Sequence, residues 1–173
     1  MVEQTDKIDI VYCGNPLIDV TQDDQGNTLL DKYGLKVGMA SLATPEQLPL
    51  IDELWKLESK KLTLGGAALN SARGSAYWFK KSGTPGKVAY FGGLGSDEIG
   101  GKMKEMVAES GVTGNFFEST DTQTGVCACL VSGIERTLCV NLGAAKKFPT
   151  SHIEANLVSN LATNLMNMTI GNS

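Results

Sequence analysis

In three short stretches, glycines and small polar side chains meet the edge of a regular element, and these constrain the fold more than anything else in the chain. The first is Leu64-Gly65-Gly66-Ala67-Ala68-Leu69-Asn70-Ser71, where a Gly-Gly pair runs into the start of a helix and Asn70 falls one turn in. Paired glycines let backbone approach a ligand because no Cβ intervenes. A helix N-terminus offers unpaired N–H groups to an electron-rich ligand. The second is Cys13-Gly14-Asn15-Pro16-Leu17-Ile18-Asp19, which follows an apolar run that reads as a buried strand over 8–13. Gly-Asn-Pro is a strong turn signal, so Asn15 and Asp19 are expected just past a strand end. Ligands of open α/β sheets bind at that edge. A carboxylate accepts and a carboxamide both donates and accepts, which suits neighbouring sugar hydroxyls. Both residues also suit a plain turn with a local cap. The third stretch is Ala89-Tyr90-Phe91-Gly92-Gly93-Leu94-Gly95-Ser96-Asp97-Glu98-Ile99-Gly100-Gly101, read as a strand, a glycine-rich turn and a helix. Ser96 or Asp97 can cap that helix, and Ile99, Met103, Met106 and Val107 give it an apolar face.

Between these stretches the pattern alternates helices and strands. Thr44-Pro45-Glu46-Gln47 carries a capping Thr, an early Pro and Gln at the third helical position. Leu48, Ile51, Leu54 and Trp55 are its expected buried face. A second helix runs from near Gly66 to about Lys81, with Leu69, Ala72, Ala76 and Phe79 inward. A third spans 98–110. A fourth is expected at Ser151-His152-Ile153-Glu154, with Ile153, Leu157, Leu161 and Leu165 in one stripe. Strands are expected over 8–13, 87–92, about 115–118, 126–132 and 137–141, and Ser132-Gly133-Ile134-Glu135 between the last two reads as a hairpin turn. Residues 20–42 look less regular.

Composition excludes several function classes. A chain of 173 residues is of single-domain size, and 42% hydrophobic residues suffice for a core. A net charge of −4, with lysines only in isolated pairs, gives no footprint for nucleic acid. No apolar run reaches the length of a membrane span. The polar opening Met1-Val2-Glu3-Gln4-Thr5-Asp6-Lys7 lacks a signal peptide's apolar region, so an intracellular location is the expectation. Cys13, Cys127, Cys129 and Cys139 fall on strands or strand ends and read as reduced, buried small hydrophobes. The single histidine, His152, does not complete a zinc set with them. Asn167-Met168-Thr169 matches a glycosylation acceptor, which without a secretory signal reads as chance.

Taken in order, Gly14-Asn15-Pro16-Leu17-Ile18-Asp19, Gly65-Gly66 with Asn70, Gly92 to Asp97 with Gly100, Thr124-Gly125-Val126-Cys127 and Glu135-Arg136-Thr137-Leu138 resemble the ribokinase-like carbohydrate and purine kinases of the PfkB family. The resemblance runs from about residue 9 to about residue 153. The Asn-Pro-Leu-Ile-Asp motif, Leu30-Asp31-Lys32-Tyr33-Gly34-Leu35-Lys36 and Asn141-Leu142-Gly143-Ala144-Ala145 favour its adenosine kinase branch over its sugar kinases.

The resemblance implies an α/β fold: a central, mostly parallel sheet flanked by helices, with a small β lid from segments about 20–42 and 115–142. It implies ATP-dependent phosphorylation of the adenosine 5′-hydroxyl to AMP, as in purine salvage, with ATP and Mg²⁺, in a cytoplasmic or nuclear monomer. Asp19 would grip the ribose 2′- and 3′-hydroxyls, with Gly65, Gly66 and Asn70 around the same sugar. Asn15 would contact the nucleoside or support Asp19. The base would lie against apolar surface near Cys127 and Leu138. Arg136 would contact phosphate, or be a hairpin charge paired with Glu135. Family members are about twice as long, and their second half carries a Gly-Ala-Gly-Asp segment with the catalytic base. That segment does not occur in these 173 residues. The expectation is that 1–173 is the N-terminal part of such a kinase, without turnover of its own.

One residue departs from the pattern: Ala67 stands where Ser often follows the Gly-Gly pair, which puts base or sugar preference in doubt. Two other readings stay open, a non-catalytic nucleoside-binding module and a sugar kinase of the same fold. The absence of a Walker A pattern disfavours a P-loop kinase, and Gly92-Gly93-Leu94-Gly95 does not have dinucleotide-fold spacing.

Overall fold

The computed structural model describes residues 8–156. Among them are eight strands, β1 (Ile10–Cys13), β2 (Leu17–Asp23), β3 (Ala40–Leu42), β4 (Lys61–Gly65), β5 (Val88–Gly95), β6 (Val112–Ser119), β7 (Val126–Ser132) and β8 (Glu135–Asn141). The helices are α1 (Thr28–Lys32), α2 (Leu48–Lys56), α3 (Ala67–Ser82) and α4 (Glu98–Glu109). The strands form two sheets. One is three-stranded and wholly parallel, in the order β1-β5-β6. The other is five-stranded and mixed, in the order β3-β8-β7-β2-β4.

The parallel sheet follows from its sequence. Every residue of β5 is buried, as expected where both faces of a parallel strand are covered. The crossover from β5 to β6 is α4, an amphipathic helix that turns Met103 and Val107 inward. Its cap is Asp97, whose carboxylate accepts from the Gly100 N–H at 2.7 Å. Helix α3 packs against β1 and β5 of this sheet and also against β4 of the other, so it ties the two layers together.

One face of the five-stranded sheet is turned to the core. Ile18, Val20, Leu64, Val126, Ala128, Leu130 and Cys139 pack into the core there, against α2, which meets β2 and β7. At the end of β2 the buried Asp24 carboxylate accepts from the N–H groups of Leu29 and Leu30 and so starts α1.

Several expectations are corrected. Leu17–Asp23 is a strand, so Asp19 lies inside the mixed sheet and not in the turn past β1. Residues 115–119, expected in the lid, belong to β6 of the parallel sheet, while β4, not foreseen, joins the mixed one. Gly93, Leu94 and Gly95 continue β5 where a turn was expected. A Cβ on Gly93 would overlap the Ala144 carbonyl, so glycine there serves close packing against the 3-10 turn Gly143–Lys147. In the first helical segment Leu50 and Leu54 are buried, whereas Leu48 is exposed and Trp55 half-buried. The segment starts as a 3-10 turn, Pro45–Gln47, whose tighter winding shifts the phase of the inward face. Cys13 is exposed, unlike the other three cysteines. Residues 150–156 are helical. Leu157, Leu161, Leu165 and Asn167-Met168-Thr169 lie outside the described residues.

Candidate functional site

Alternation along a strand sends neighbouring side chains to opposite faces. Since Ile18, Val20, Val126, Ala128 and Cys139 face the core, the residues between them share the other face of the mixed sheet. The register then sets two rows across it. Asp19 lies beside Thr63 on β4 and Cys127 on β7, Cys127 lies beside Val140 on β8, and Val140 beside Leu42 on β3. One step along, Thr21, Cys129, Leu138 and Ala40 form the second row. The face is therefore polar at the β4 and β2 side and apolar toward β8 and β3. Arg136 follows at the rim, beside Val131.

The Gly-Gly pair completes the polar end. Leu17 on β2 pairs with Gly65, two residues from Asp19, and a Cβ on Gly65 would overlap both carboxylate oxygens. Only a glycine lets the Asp19 carboxylate lie where it does. Gly66 has φ 90°, a value that L side chains rarely adopt, and its open side is filled by the Asn15 carbonyl. Chain segments 51 residues apart, Asn15 and Gly66, are thus held in contact at the start of α3. Asn70 follows one turn in, its N–H bonded to the Gly66 carbonyl at 2.9 Å.

The electrostatics of this face fit its chemistry. Burial raises the pKa of Asp19, and the Arg136 charge partly opposes that. The Cys127 thiol is pushed up to about 12, mainly by burial and next by the Asp19 carboxylate, with Cys129 and Cys139 adding. Burial also raises Cys129. Both thiols are neutral at physiological pH and act as apolar surface. Arg136 is exposed and makes no ion pair among the described residues. The Glu135 carboxylate lies instead against Gly38, which disfavours a Glu135–Arg136 hairpin pair.

The structure thus places Asn15, Asp19, Gly65 and Gly66 in one contact group. Cys127, Leu138 and Arg136 lie on the same sheet face as Asp19, and Asn70 is one helical turn from the glycines. Thr63 and Val140 on that face were not singled out from the sequence, and Cys129 was read only as a buried thiol, although the alternation around Cys127 and Leu138 carried the signal. Among the described residues, no group of three or more His, Cys, Asp or Glu is placed to hold a metal ion. No helix among them is long and apolar enough to cross a membrane.

Known proteins share this fold. The model of the pfkB family of carbohydrate kinases matches residues 27–167. The chain belongs to that family. It is 38% identical over 152 residues to adenosine kinase of Schizophyllum commune, an alignment covering 87% of this chain and 43% of that protein. Its fold is similar to that of the solved Trypanosoma brucei brucei adenosine kinase, with TM-score 0.75 and 32% identity, covering 83% of this chain and 43% of that one. It is also similar to Anopheles gambiae adenosine kinase solved with P1,P4-di(adenosine-5) tetraphosphate, with TM-score 0.73 and 34% identity, over 84% of this chain and 42% of that one. The chain spans about two-fifths of the length of these family members.

Proposed function

We propose that this chain supplies the nucleoside-binding face of an adenosine kinase, which transfers the γ-phosphoryl group of ATP to the adenosine 5′-hydroxyl to give AMP. The observation that carries this reading is the graded sheet face. The half-buried Asp19 carboxylate is framed by Gly65 and Gly66 at one end, and neutral apolar side chains (Cys127, Cys129, Leu138, Val140) continue from it. A nucleoside has the same grading, hydroxyls on one side and a flat base on the other. The adenosine-containing ligand of the Anopheles gambiae relative supports the same substrate class.

In this reading Asp19 accepts the ribose 2′- and 3′-hydroxyls, and Gly65 and Gly66 let the sugar approach the backbone. Asn15 supports that turn, and Asn70 donates to the sugar. Arg136, at the rim, meets phosphate, which a guanidinium binds well. ATP supplies the phosphoryl group when bound. Holding the hydroxyl in line with it is the protein's contribution from this side. Magnesium belongs to the same reaction; among the described residues no group of three or more His, Cys, Asp or Glu is placed to hold it. A base that takes the hydroxyl proton is not assigned to any of the 173 residues, and the isolated chain is expected to bind adenosine without turning it over.

Titration of adenosine into the 173-residue chain, monitored by calorimetry, tests this. Saturable binding is expected, weakened roughly a hundredfold or more in Asp19→Asn, since two hydrogen bonds to a charged acceptor are lost. A well-folded chain that bound ribose or fructose in preference to adenosine, or bound none of them, would sink the proposal. The raised pKa adds a pH signature. Binding needs the carboxylate, so affinity should fall as pH drops through a range above that of an ordinary aspartate. Stability should move the other way. The folded state holds the Asp19 proton more tightly than the unfolded state, so the Asp19 contribution is greatest at low pH and declines as pH rises through that window. Asp19→Asn should therefore unfold at the same or a higher temperature than the parent at neutral pH.

A further inference from the structure

Arg73 lies on α3 three residues beyond Asn70, and its Nη1 donates to Asn70 Oδ1 at 2.9 Å. The same nitrogen donates to the Leu64 carbonyl at 3.3 Å, which anchors the guanidinium at the end of β4, directly before Gly65-Gly66. A guanidinium has donors and no acceptor. The carboxamide atom that faces it must therefore be the oxygen, and the amide cannot flip without setting donor against donor. Arg73 Nε is buried and has no hydrogen-bond partner. A buried unpaired donor costs free energy, which an arginine extended into water would avoid. The side chain is thus held inward by its two acceptors. Asn70 is exposed, and its two N–H donors are not engaged by the described residues.

We infer that Arg73 is a positioning residue. It fixes the Asn70 carboxamide so that its N–H donors, and not its oxygen, are presented to a ligand over the Gly65-Gly66 turn. The group recognised is then an acceptor, the oxygen of a sugar hydroxyl whose own proton goes elsewhere. Asp19, which can only accept when ionised, is the complementary partner on the other side. Arg73 touches no substrate in this arrangement and acts through Asn70. The inference rests on the nucleoside reading above.

A double-mutant cycle read by adenosine titration separates this role from a merely structural one. Arg73→Met alone should weaken binding roughly tenfold, the scale of one oriented hydrogen bond. In an Asn70→Ala background the same change should cost less than about twofold, because nothing is left to orient. Arg73→Lys keeps a donor and should recover part of the loss. Equal losses in both backgrounds would mean that Arg73 serves the fold only, and would overturn the inference. A wild-type chain that bound no adenosine would defeat the nucleoside reading, and Arg73 would then be judged by the Asn70 side-chain amide in NMR spectra. Two dispersed amide protons in the wild type that collapse toward exposed values in Arg73→Met would uphold the orientation. Unchanged shifts would overturn it.

Discussion

Gly65→Ala is expected to abolish measurable adenosine binding in a protein that still folds. Gly65 sits in β4, paired with Leu17, and its backbone is not in the left-handed region reserved for glycine. Alanine therefore costs little conformationally. The conflict is steric: a Cβ would overlap both oxygens and Cγ of the Asp19 carboxylate. Because the strand backbone is held by its ladder, the side chain must give way, and Asp19 would be rotated out of the position from which it meets a ligand. Overpacking of this kind costs about 1–3 kcal/mol of stability. The functional loss should match or exceed that of Asp19→Asn, roughly a hundredfold or more. Calorimetric titration together with thermal unfolding measures both. A useful control is Gly74→Ala on α3, where a Cβ meets nothing within 4 Å; it should stabilise by about 1 kcal/mol through helix propensity and leave binding intact. Near-native affinity in Gly65→Ala would refute the placement of the Asp19 carboxylate against the glycine turn.

Asp97→Ala should be the most damaging polar substitution for the fold. The Asp97 carboxylate caps α4 through the Gly100 N–H at 2.7 Å, accepts from the Thr124 N–H at 2.7 Å and accepts from the Thr124 hydroxyl at 2.6 Å. Thr124 is buried, and its Oγ1 in turn accepts from the Gly95 N–H at 2.9 Å. One side chain thus joins the end of β5, the start of α4 and the entry to β7. Its removal loses a cap worth about 1 kcal/mol and leaves buried donors unpaired at about 1–3 kcal/mol each, about 4 kcal/mol in all. Domains of this size have about 5–15 kcal/mol to lose, so the denaturant midpoint should fall steeply with the slope unchanged. Asp97→Asn keeps an acceptor for the cap and should lose about half as much. A midpoint for Asp97→Ala within error of the parent would show that these contacts contribute nothing net.

Much of the architecture was legible in local pattern. Helices α3 and α4 carry their periodicity, their glycine or aspartate starts and their stops within contiguous stretches of sequence, and both formed near the expected bounds. Strands β7 and β8 announced themselves on either side of the Ser132-Gly133-Ile134-Glu135 turn signal, although β8 begins at Glu135, two residues before the expected start. Strands β2 and β4 were missed because their short alternating runs, Leu17–Asp23 and Lys61–Gly65, stand next to Gly-Asn-Pro and Gly-Gly turn signals. A strand's identity also depends on the partner it finds, and both partners are distant in sequence.

The candidate site divides along the same line. The ordered motifs, Gly14 to Asp19, Gly65-Gly66 with Asn70, Gly92 to Asp97 with Gly100, Thr124 to Cys127 and Glu135 to Leu138, were together enough to point to the family, and through it to the ligand class proposed above. Each of these signals is short, and it survives without knowledge of where the rest of the chain goes. Only the tertiary structure decided that Asp19 stands within a mixed sheet, that Gly65 makes room for its carboxylate, and that Arg73 meets both Asn70 Oδ1 and the Leu64 carbonyl. Those relations are distances across paired strands and between a helix and a strand end. Packing selects them from many that local sequence would allow, because burying one face of the mixed sheet against α2 forces Asp19, Cys127 and Leu138 together onto the other.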